Sequence, residues 1–381
     1  MKSPTRRSKK SPETQPILAD AADLPEKLPQ LLLPWFDRHQ RKLPWRQTQD
    51  PYAIWLSETM LQQTQVVTAL PYYHRFLKRF PTVQALAAAP LQEVLKSWSG
   101  LGYYRRARHL HEAAKAICEN FRGIVPGTAA ELVTLPGVGR YTAGAVASFA
   151  FNECTPIVDC NVARVLCRLL NWPVDPTAPQ AAKALWQVAH QIVPADRPGA
   201  FNHALMELGA TVCVPRAPQC LICPAQQCCQ SCAAGTQQDI PLRKEKPATP
   251  IVKRAVFVLR HEGRVLLMQR PKNCIWEELW EFPALPDLSH FNSRTGLADV
   301  LREQLGLEVV PDRWRGRLSH QLTHRAMRYR IWRGVAVRGI ERVLLPPCET
   351  GRYQAWRWLE NLADVPVGTV THKIATLARL D

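Results

Sequence analysis

Hydrophobic and polar positions divide the chain into two parts of different character. From about Pro25 to about Ala210, apolar residues recur with the spacing of amphipathic helices, so this part is predicted to be helical nearly throughout. Thr82 is suited to cap a short helix and Pro90 to open another. Gly100 and Gly123 lie where two helices should stop.

The pattern changes after a polar segment with three prolines at 233–250, which is predicted to be a linker. Beyond it, Arg254 to Leu259 and Val265 to Met268 read as two strands, joined by a turn at Glu262–Gly263. A further strand is predicted from Tyr329 to Val337.

These patterns predict a multidomain protein with an all-α domain at 21–232 and an α+β domain at 251–381. A chain of 381 residues is long enough for two cores. Residues 1–20 are polar, basic and proline-containing, and are predicted to be a disordered tail.

The net charge is +17, from 49 Lys and Arg against 32 Asp and Glu. This excess favours a polyanionic partner, with nucleic acid ahead of an anionic membrane. The alternative is a basic protein whose charge serves only solubility. No apolar run reaches the roughly 18 residues of a membrane span, and no apolar secretion-signal core follows the basic N-terminus.

Six of the 12 cysteines crowd between Cys213 and Cys232, which in a long chain without a secretion signal indicates metal binding rather than disulfides. The spacing C-x6-C-x2-C-x5-C suits a 4Fe-4S cluster. The alternative is zinc held by two C-x2-C pairs, although only five residues separate the pairs. Cys228 and Cys232 are further candidates for the fourth ligand. The four cysteines with the stated spacing are Cys213, Cys220, Cys223 and Cys229.

Two glycines, Gly137 and Gly139, flank Val138 between helical segments. Glycine permits a tight turn, and the N–H groups that open the next helix can then bind a phosphate. The alternative is an ordinary turn between helices.

Two acidic residues are candidates for catalysis. Asp159 follows an extended apolar run and begins a helix, so it is either a plain N-cap or a carboxylate kept ionised by the helix start. Glu58 is a single acid among apolar and amide residues. It either faces solvent or is buried beside Trp45 or Trp55, where desolvation would raise its pKa and keep it protonated near neutral pH.

Together, these motifs resemble the MutY family of DNA glycosylases. Residues 55–66 resemble its S-E-x-M-L-Q-Q-T motif, and residues 135–145, followed by V-D-x-N-V-x-R-V, resemble its helix-hairpin-helix motif. The cysteine spacing is that of endonuclease III and MutY glycosylases. Residues 265–283 resemble the family's Nudix-like domain. The implied fold is a helix-hairpin-helix core with a 4Fe-4S loop at 213–229, followed by a Nudix-like domain.

The resemblance implies an enzyme of base-excision repair that flips adenine out of duplex DNA and hydrolyses its N-glycosidic bond. The implied substrate is adenine mispaired with 8-oxoguanine or guanine. Glu58 would protonate adenine, and Asp159 would stabilise the cationic sugar, as in glycoside hydrolysis. Lyase relatives carry a lysine where this chain has Tyr141, and a phenol cannot form an imine, so a monofunctional enzyme is predicted. Tyr141 is placed near Asp159 as a hydrogen-bond partner, or in the core.

Other residues are assigned to DNA by the same resemblance. Tyr103 matches the tyrosine that wedges beside 8-oxoguanine, and Gln63 and Thr64 match the other wedge residues. Gln63, five positions after Glu58, would point about 140° away from it on one helix. The remaining assigned residues are Trp45, Arg46 and Glu207 at the adenine pocket, Gly137, Gly139 and Asn161 at the hairpin, and Thr323 and His324 in the lesion-reading loop.

The chain departs from the family pattern at two places in the Nudix-like part. Glu277 and Glu278 stand where MutY proteins often have two glycines. Leu322, Thr323 and His324 stand where the family usually has Phe-Ser-His; because Thr323 keeps a hydroxyl, contact with 8-oxoguanine is expected to survive in altered form.

Three alternatives remain at this point. A lyase for pyrimidine lesions is disfavoured by Tyr141, and a Nudix pyrophosphohydrolase needs a glutamate pair that Arg302 to Gly306 lacks. A non-catalytic iron–sulfur DNA sensor would not need Glu58 and Asp159 together. The protein is expected to be a monomer that binds double-stranded DNA and does not bind a membrane. Its expected location is the cytoplasm, at the nucleoid.

Overall fold

The structure is a computed structural model that describes residues 23–242, 249–286, 294–348 and 351–380. The predicted tail at 1–20 and the middle of the predicted linker lie outside the described residues. The described chain forms two compact units. Among the described residues, the first comprises 23–62 and 116–242, and the second comprises 63–115, 249–286, 294–348 and 351–380.

Helices dominate residues 23–234, as predicted for the part from about Pro25 to about Ala210. Thr82 and Pro90 are helix N-caps, and Gly100 and Gly123 have the left-handed backbone typical of helix ends. The helices in chain order are α1 Leu24–His39, α2 Pro51–Leu61, α3 Val66–Arg79, α4 Val83–Ala88, α5 Leu91–Trp98, α6 Arg105–Asn120, α7 Ala129–Leu132, α8 Arg140–Phe151, α9 Cys160–Leu169, α10 Pro179–Ile192, α11 Pro198–Thr211, α12 Gln230–Ala234, α13 Arg294–Leu305 and α14 Thr369–Leu377.

The core of the first unit gathers the apolar faces of four helices. Leu28 and Leu32 of α1 pack with Leu166 of α9, Leu185 of α10 and Phe201 of α11, and all five are at most 1% exposed. Burial of these side chains fixes the position of each of the four helices.

The second unit contains a mixed sheet. Among the described residues, seven strands belong to it, in the order β3-β2-β1-β6-β5 with β4 beside β1 and β9 beside β2. β1 and β6 run parallel, and β5 and β6 are antiparallel. The strands in chain order are β1 Ile251–His261, β2 Arg264–Gln269, β3 Trp280–Glu281, β4 Ala284–Pro286, β5 Glu308–Gln321, β6 Ala326–Arg338, β7 Pro347–Cys348, β8 Gly351–Arg352 and β9 Ala355–Leu359.

Each face of this sheet is covered by a helix. On one face, Phe257 packs with Leu301 of α13; on the other, Val258 packs with Ile374 of α14. Residues 254–259 of β1 are buried without interruption because both sides of the strand are covered, which explains why Ala255 to Leu259 are all apolar. The predicted strands and the turn at Glu262–Gly263, whose residues both have positive φ, are confirmed.

The first half of the segment assigned to a linker packs against the first unit. Ile240 is 3% exposed, its carbonyl accepts a hydrogen bond from Arg168, and Leu242 donates to the carbonyl of Val174. The polar composition of this segment does not predict the contact, because the contact depends on one buried isoleucine and on backbone groups. Among the described residues, no helix has both the length and the apolar composition to cross a membrane.

Candidate active site

Glu58 lies on a helix that is buried on every side. Asp50 caps α2 by accepting a hydrogen bond from the backbone of Tyr52, and Pro51 occupies the first turn. Residues 52–60 are all buried, and Glu58 itself is only 3% exposed. Of the two alternatives for Glu58, the structure therefore shows burial.

A tyrosine contacts this buried carboxyl. The phenol of Tyr141, in the first turn of α8, donates a hydrogen bond to Glu58 Oε2 at 2.8 Å and also contacts the sulfur of Met206 at 3.7 Å. The sequence placed the tyrosine beside Asp159, but its hydrogen bond goes to Glu58. The physical reason is that α8 packs on α2, which also brings Thr142 to 3.3 Å from the side chain of Gln62.

The surroundings of Glu58 raise its pKa far above the usual range of a glutamate, so a large fraction stays protonated near neutral pH. Burial raises the pKa of Glu58 to about 7, the hydrogen bond from Tyr141 lowers it in part, and the charge of Asp159 raises it further. A carboxyl with a pKa near 7 can both donate and accept a proton at neutral pH.

Asp159 is the N-cap of α9. Its carboxylate accepts hydrogen bonds from the backbone of Val162 at 2.7 Å and from the side-chain amide of Asn161 at 3.0 Å. Burial raises the pKa of Asp159 above its ordinary value, while these two hydrogen bonds oppose that rise. The helix start thus stabilises the ionised form, as predicted, but burial outweighs it.

Asn161 holds Asp159 in place rather than presenting a free amide. Its side chain donates to Asp159 and accepts a 2.9 Å hydrogen bond from Arg164, which also donates to the carbonyl of Gly209. This arrangement fixes the rotamer of the aspartate.

Glu207 is paired with two arginines in the core of the first unit. It is fully buried and accepts two hydrogen bonds from the Arg41 guanidinium and one of 2.8 Å from Arg46. Burial opposes ionisation, but the hydrogen bonds from Arg41 and Arg46 lower the pKa of Glu207 to about 2. Glu207 is therefore a charged partner of Arg46, and Trp45 is 4% exposed, so the structure places these three residues in buried positions.

The hairpin glycines form the turn that the sequence predicts. Gly137 has a φ of 71°, which favours glycine, and Gly139 is the N-cap of α8 with an extended backbone. A Cβ added at Gly139 would meet nothing within 4 Å, so no neighbouring group crowds the start of α8 at this position.

Five cysteine residues line one cavity with Arg168. They are Cys213, Cys220, Cys223, Cys229 and Cys232. Arg168, which is 2% exposed, approaches the sulfur of Cys213 at 3.3 Å and donates to the carbonyl of Val214 at 2.8 Å. Cys228 instead lines another cavity with Lys27. Within the described ranges, no group of three or more Cys, His, Asp or Glu side chains already has the geometry to hold a metal ion.

Residues assigned to the opposite base come together in the second unit. The hydroxyl of Tyr103 lies 2.6 Å from Oγ1 of Thr323, although the two residues are 220 positions apart in the chain. Tyr103 is 46% exposed, and Thr323 and His324 are exposed in the turn between β5 and β6. Thr64 accepts a 3.2 Å hydrogen bond from Arg106.

One geometric prediction is wrong. Gln63 and Glu58 do not share a helix, because α2 ends at Leu61 and Gln63 has a φ of 57°. The chain therefore turns before Gln63, and an angle calculated from helical spacing does not apply. Gln63 is exposed.

Two contributing residues were missed by sequence reasoning. Arg41 binds Glu207, and Arg168 donates to the carbonyl of Val214 beside Cys213. A third residue, Arg108, contacts Glu277 and Glu278, the pair that departs from the family pattern. Only Arg168 had a usable signal, since it lies four residues after Arg164 on the same face of α9.

The comparisons with known proteins agree with this geometry. The sequence model of the HhH-GPD superfamily of base excision DNA repair proteins matches residues 56–191, and a NUDIX domain model matches residues 255–377. A rat (Rattus norvegicus) protein named adenine DNA glycosylase is 36% identical over 398 residues, covering 90% of this chain and 76% of the relative. The chain belongs to the adenine DNA glycosylase family.

A further relative supports the family assignment, and a solved structure supports the fold of the helical part. An adenine DNA glycosylase of Mycolicibacterium smegmatis is 46% identical over 198 residues, covering 52% of this chain and 67% of the relative. The solved structure of a thermostable thymine-DNA glycosylase, 30% identical, covers 54% of this chain and 95% of that one, with a TM-score of 0.50. The predicted fold class, a helical glycosylase core followed by a Nudix-like domain with a sheet, is confirmed.

Proposed function

We propose that this family member is a monofunctional adenine DNA glycosylase that removes adenine mispaired with 8-oxoguanine or guanine and leaves an abasic site. The observation that carries the proposal is a buried carboxyl with a pKa near 7, Glu58, held by Tyr141 and coupled electrostatically to Asp159. Its matched relatives are named adenine DNA glycosylases.

The two carboxyls have complementary tasks. Adenine is a poor leaving group as an anion, so the protonated form of Glu58 donates a proton to a ring nitrogen as the glycosidic bond breaks. The sugar then carries positive charge, which the ionised Asp159 stabilises. Glu58, now deprotonated, accepts a proton from the attacking water. Different burial and hydrogen bonding of the two acids separate these roles.

Tyr141 supports hydrolysis without strand cleavage. Its phenol cannot form an imine with the sugar, and its proton is committed to Glu58 Oε2. The phenol therefore orients the acid and leaves the second carboxyl oxygen to face adenine.

Reading of the opposite base belongs to the second unit. The exposed hydroxyls of Tyr103 and Thr323 form one polar surface, and an 8-oxoguanine edge offers hydrogen-bonding groups that guanine lacks. Exposed His324 and Gln63 and partly exposed Thr64 complete the proposed contacts. The open hairpin at Gly137 and Gly139 is proposed to bind a backbone phosphate.

The cysteine loop is proposed to hold a 4Fe-4S cluster through Cys213, Cys220, Cys223 and Cys229. The donor set fits, because these soft thiols line one cavity and the Arg168 guanidinium can offset the charge of thiolates. When bound, the cluster would serve as a structural centre that shapes this loop. Purified protein should contain about four iron atoms and show the brown visible absorbance of such clusters. Stoichiometric zinc without iron would contradict the assignment.

We propose a monomer that binds double-stranded DNA containing A:8-oxoguanine or A:G mispairs, without a membrane, at the nucleoid in the cytoplasm. The charge of +17 supports a polyanionic partner.

The deciding experiment is single-turnover release of free adenine from a duplex with one A:8-oxoguanine pair. A C:8-oxoguanine duplex is the control. Adenine release that leaves a strand cleavable only by later alkali is expected. Strand cutting without alkali would contradict the monofunctional mechanism, and no release from iron-loaded protein would contradict the glycosylase.

Substitution of the acid separates binding from chemistry. Glu58→Gln keeps size and polarity but cannot supply the proton, so adenine release should be abolished while lesion binding persists. Continued excision by Glu58→Gln would remove Glu58 from the mechanism.

A further inference from the structure

An ion-pair cluster involves the helix that follows Tyr103 in the chain. Helix α6 begins at Arg105, and the Arg108 side chain, one turn after Tyr104, is only 7% exposed. Its Nε lies 3.0 Å from Glu277 Oε1, and its two terminal nitrogens contact the Glu278 carboxylate and the backbone carbonyl of Glu277. Every nitrogen of this guanidinium therefore faces one two-residue segment.

The backbone at Glu278 is costly for the residue that occupies it. Glu278 has a φ of 56°, in the left-handed region that favours glycine. Its carboxylate is 16% exposed and is directed at Arg108. Glycine would relieve this strain, but glycine has no side chain that could pair with Arg108 as the Glu278 carboxylate does.

The loop before α6 is fixed to the sheet-containing part of the same unit. Ser99 Oγ and the Tyr104 hydroxyl donate hydrogen bonds of 2.7 Å and 2.9 Å to the carbonyl of Val367. The Tyr103 hydroxyl meets Thr323. Arg108 adds a charged anchor on the C-terminal side of this loop, so the loop is held at both ends.

We infer that Arg108, Glu277 and Glu278 form a positioning cluster that keeps Tyr103 within hydrogen-bond distance of Thr323, so that both hydroxyls meet the base opposite adenine as one pre-arranged surface. The inference deepens the proposed reading of 8-oxoguanine and rests on it. Groups held in place before binding lose less freedom when the ligand arrives, which improves discrimination.

The test compares binding to A:8-oxoguanine and A:G duplexes, using Glu58→Gln protein so that no adenine is released. Glu278→Gln, Glu278→Gly and Arg108→Gln should each reduce the preference for 8-oxoguanine by about tenfold, roughly the effect of one lost hydrogen bond to a charged group. Glu278→Gly relieves the left-handed backbone and so should stay folded even if the other variants do not. Arg79→Gln is the matched control, because it removes the exposed Arg79–Glu93 ion pair in the same unit.

Amide hydrogen exchange in the DNA-free protein gives an independent measurement. Exchange at residues 99–104 and 322–325 should rise in the three cluster variants and stay unchanged in Arg79→Gln. Unchanged discrimination, or lost discrimination without a change in exchange, would overturn the positioning role. If the Glu58→Gln parent, in which the loop and the cluster are unsubstituted, shows no preference for 8-oxoguanine, the proposed reading of the lesion fails. The exchange data then still report whether the cluster fixes the loop.

Discussion

At the scale of single residues, three side chains carry the proposed chemistry. Burial raises the pKa of Glu58 to about 7, Tyr141 gives it a hydrogen bond, and Asp159 is held by Asn161 and the start of a helix. Two carboxyls of similar intrinsic acidity thus have different surroundings, which suit them to the different tasks proposed for them.

The raised pKa of Glu58 predicts the pH profile of adenine release. Since the protonated form is the proposed acid, rates of adenine release at subsaturating protein, which report the DNA-free state, should fall about tenfold per pH unit above a pH of about 7. Below that pH the rate should level off, and then fall when Asp159 becomes protonated. Rates measured from pH 5 to 9 with one duplex test this, and a flat profile from 7 to 9 would argue against Glu58 as the acid.

Tyr141→Phe should move that profile. The phenol hydrogen bond lowers the pKa of Glu58, so its removal should raise the pKa and shift the alkaline limb to higher pH. The shift, rather than a loss of rate at one pH, distinguishes an effect on Glu58 from simple damage to packing. An unshifted limb with full activity would show that the hydrogen bond does not tune the acid.

Candidate site residues that belong to a motif with a fixed spacing could be identified from the sequence. The side chains that contact them could not. Glu58, Asp159 and Tyr141 were identified by pattern, but the Tyr141 hydrogen bond to Glu58 depends on how α8 packs on α2. Glu207 has the same limitation: its burial between Arg41 and Arg46 joins positions more than 160 residues apart.

At the scale of elements, close helix packing supports the aspartate. Gly209 of α11 lies against the start of α9, where an added Cβ would come within 2.7 Å of Asn161 Cβ. Backbone groups of Asn161 lie at 3.2 Å, so the contact cannot be relieved by rotating one side chain. A glycine at this point lets the two helices approach closely.

Gly209→Ala should therefore displace Asn161 and the carboxylate that it holds. We expect a loss of about 1–3 kcal/mol in the free energy of unfolding and slower adenine release with little change in DNA binding. Gly368→Ala is the control, because an added Cβ there meets nothing within 4 Å. Equal behaviour of the two variants in urea unfolding and in single-turnover assays would refute this role for Gly209.

Elements were predicted more accurately than their ends. Helical spacing, caps and strand alternation located most elements, since each depends on neighbouring residues. The end of α2 at Leu61 was missed because no glycine or proline marks it. The ordered course of residues 236–242 was also missed, because it depends on tertiary contacts of Ile240.

At the scale of the whole molecule, the second unit contains a buried charge network. Glu281 is 9% exposed and accepts hydrogen bonds of 2.7 Å from Arg270 and 2.6 Å from Tyr353, with Arg254 at 3.3 Å. Burial opposes ionisation, but Arg254 and Arg270 hold the pKa of Glu281 below its ordinary value.

A carboxyl with a lowered pKa stabilises the fold above its unfolded pKa, and this stability is lost as pH falls through the folded pKa. Glu281→Gln leaves two buried arginines without their anion, so at pH 7 the free energy of unfolding should drop by about 3–5 kcal/mol. The difference from the parent should narrow below pH 4. Urea unfolding at both pH values measures this, with the exposed Glu93→Gln as control; a pH-independent difference would contradict the ionised state of Glu281.

The buried Glu58 also implies that the protein takes up protons when it binds its DNA substrate. A group with a pKa near 7 is about half protonated at neutral pH, and capture of adenine by the acid form completes the protonation. Binding of an uncleavable A:8-oxoguanine duplex at pH 8 should then take up close to one proton from the buffer. The apparent heat in titration calorimetry would vary with the ionisation enthalpy of the buffer, and this variation should disappear in Glu58→Gln. The affinity for the mispaired adenine would thereby depend on the pH of the solution.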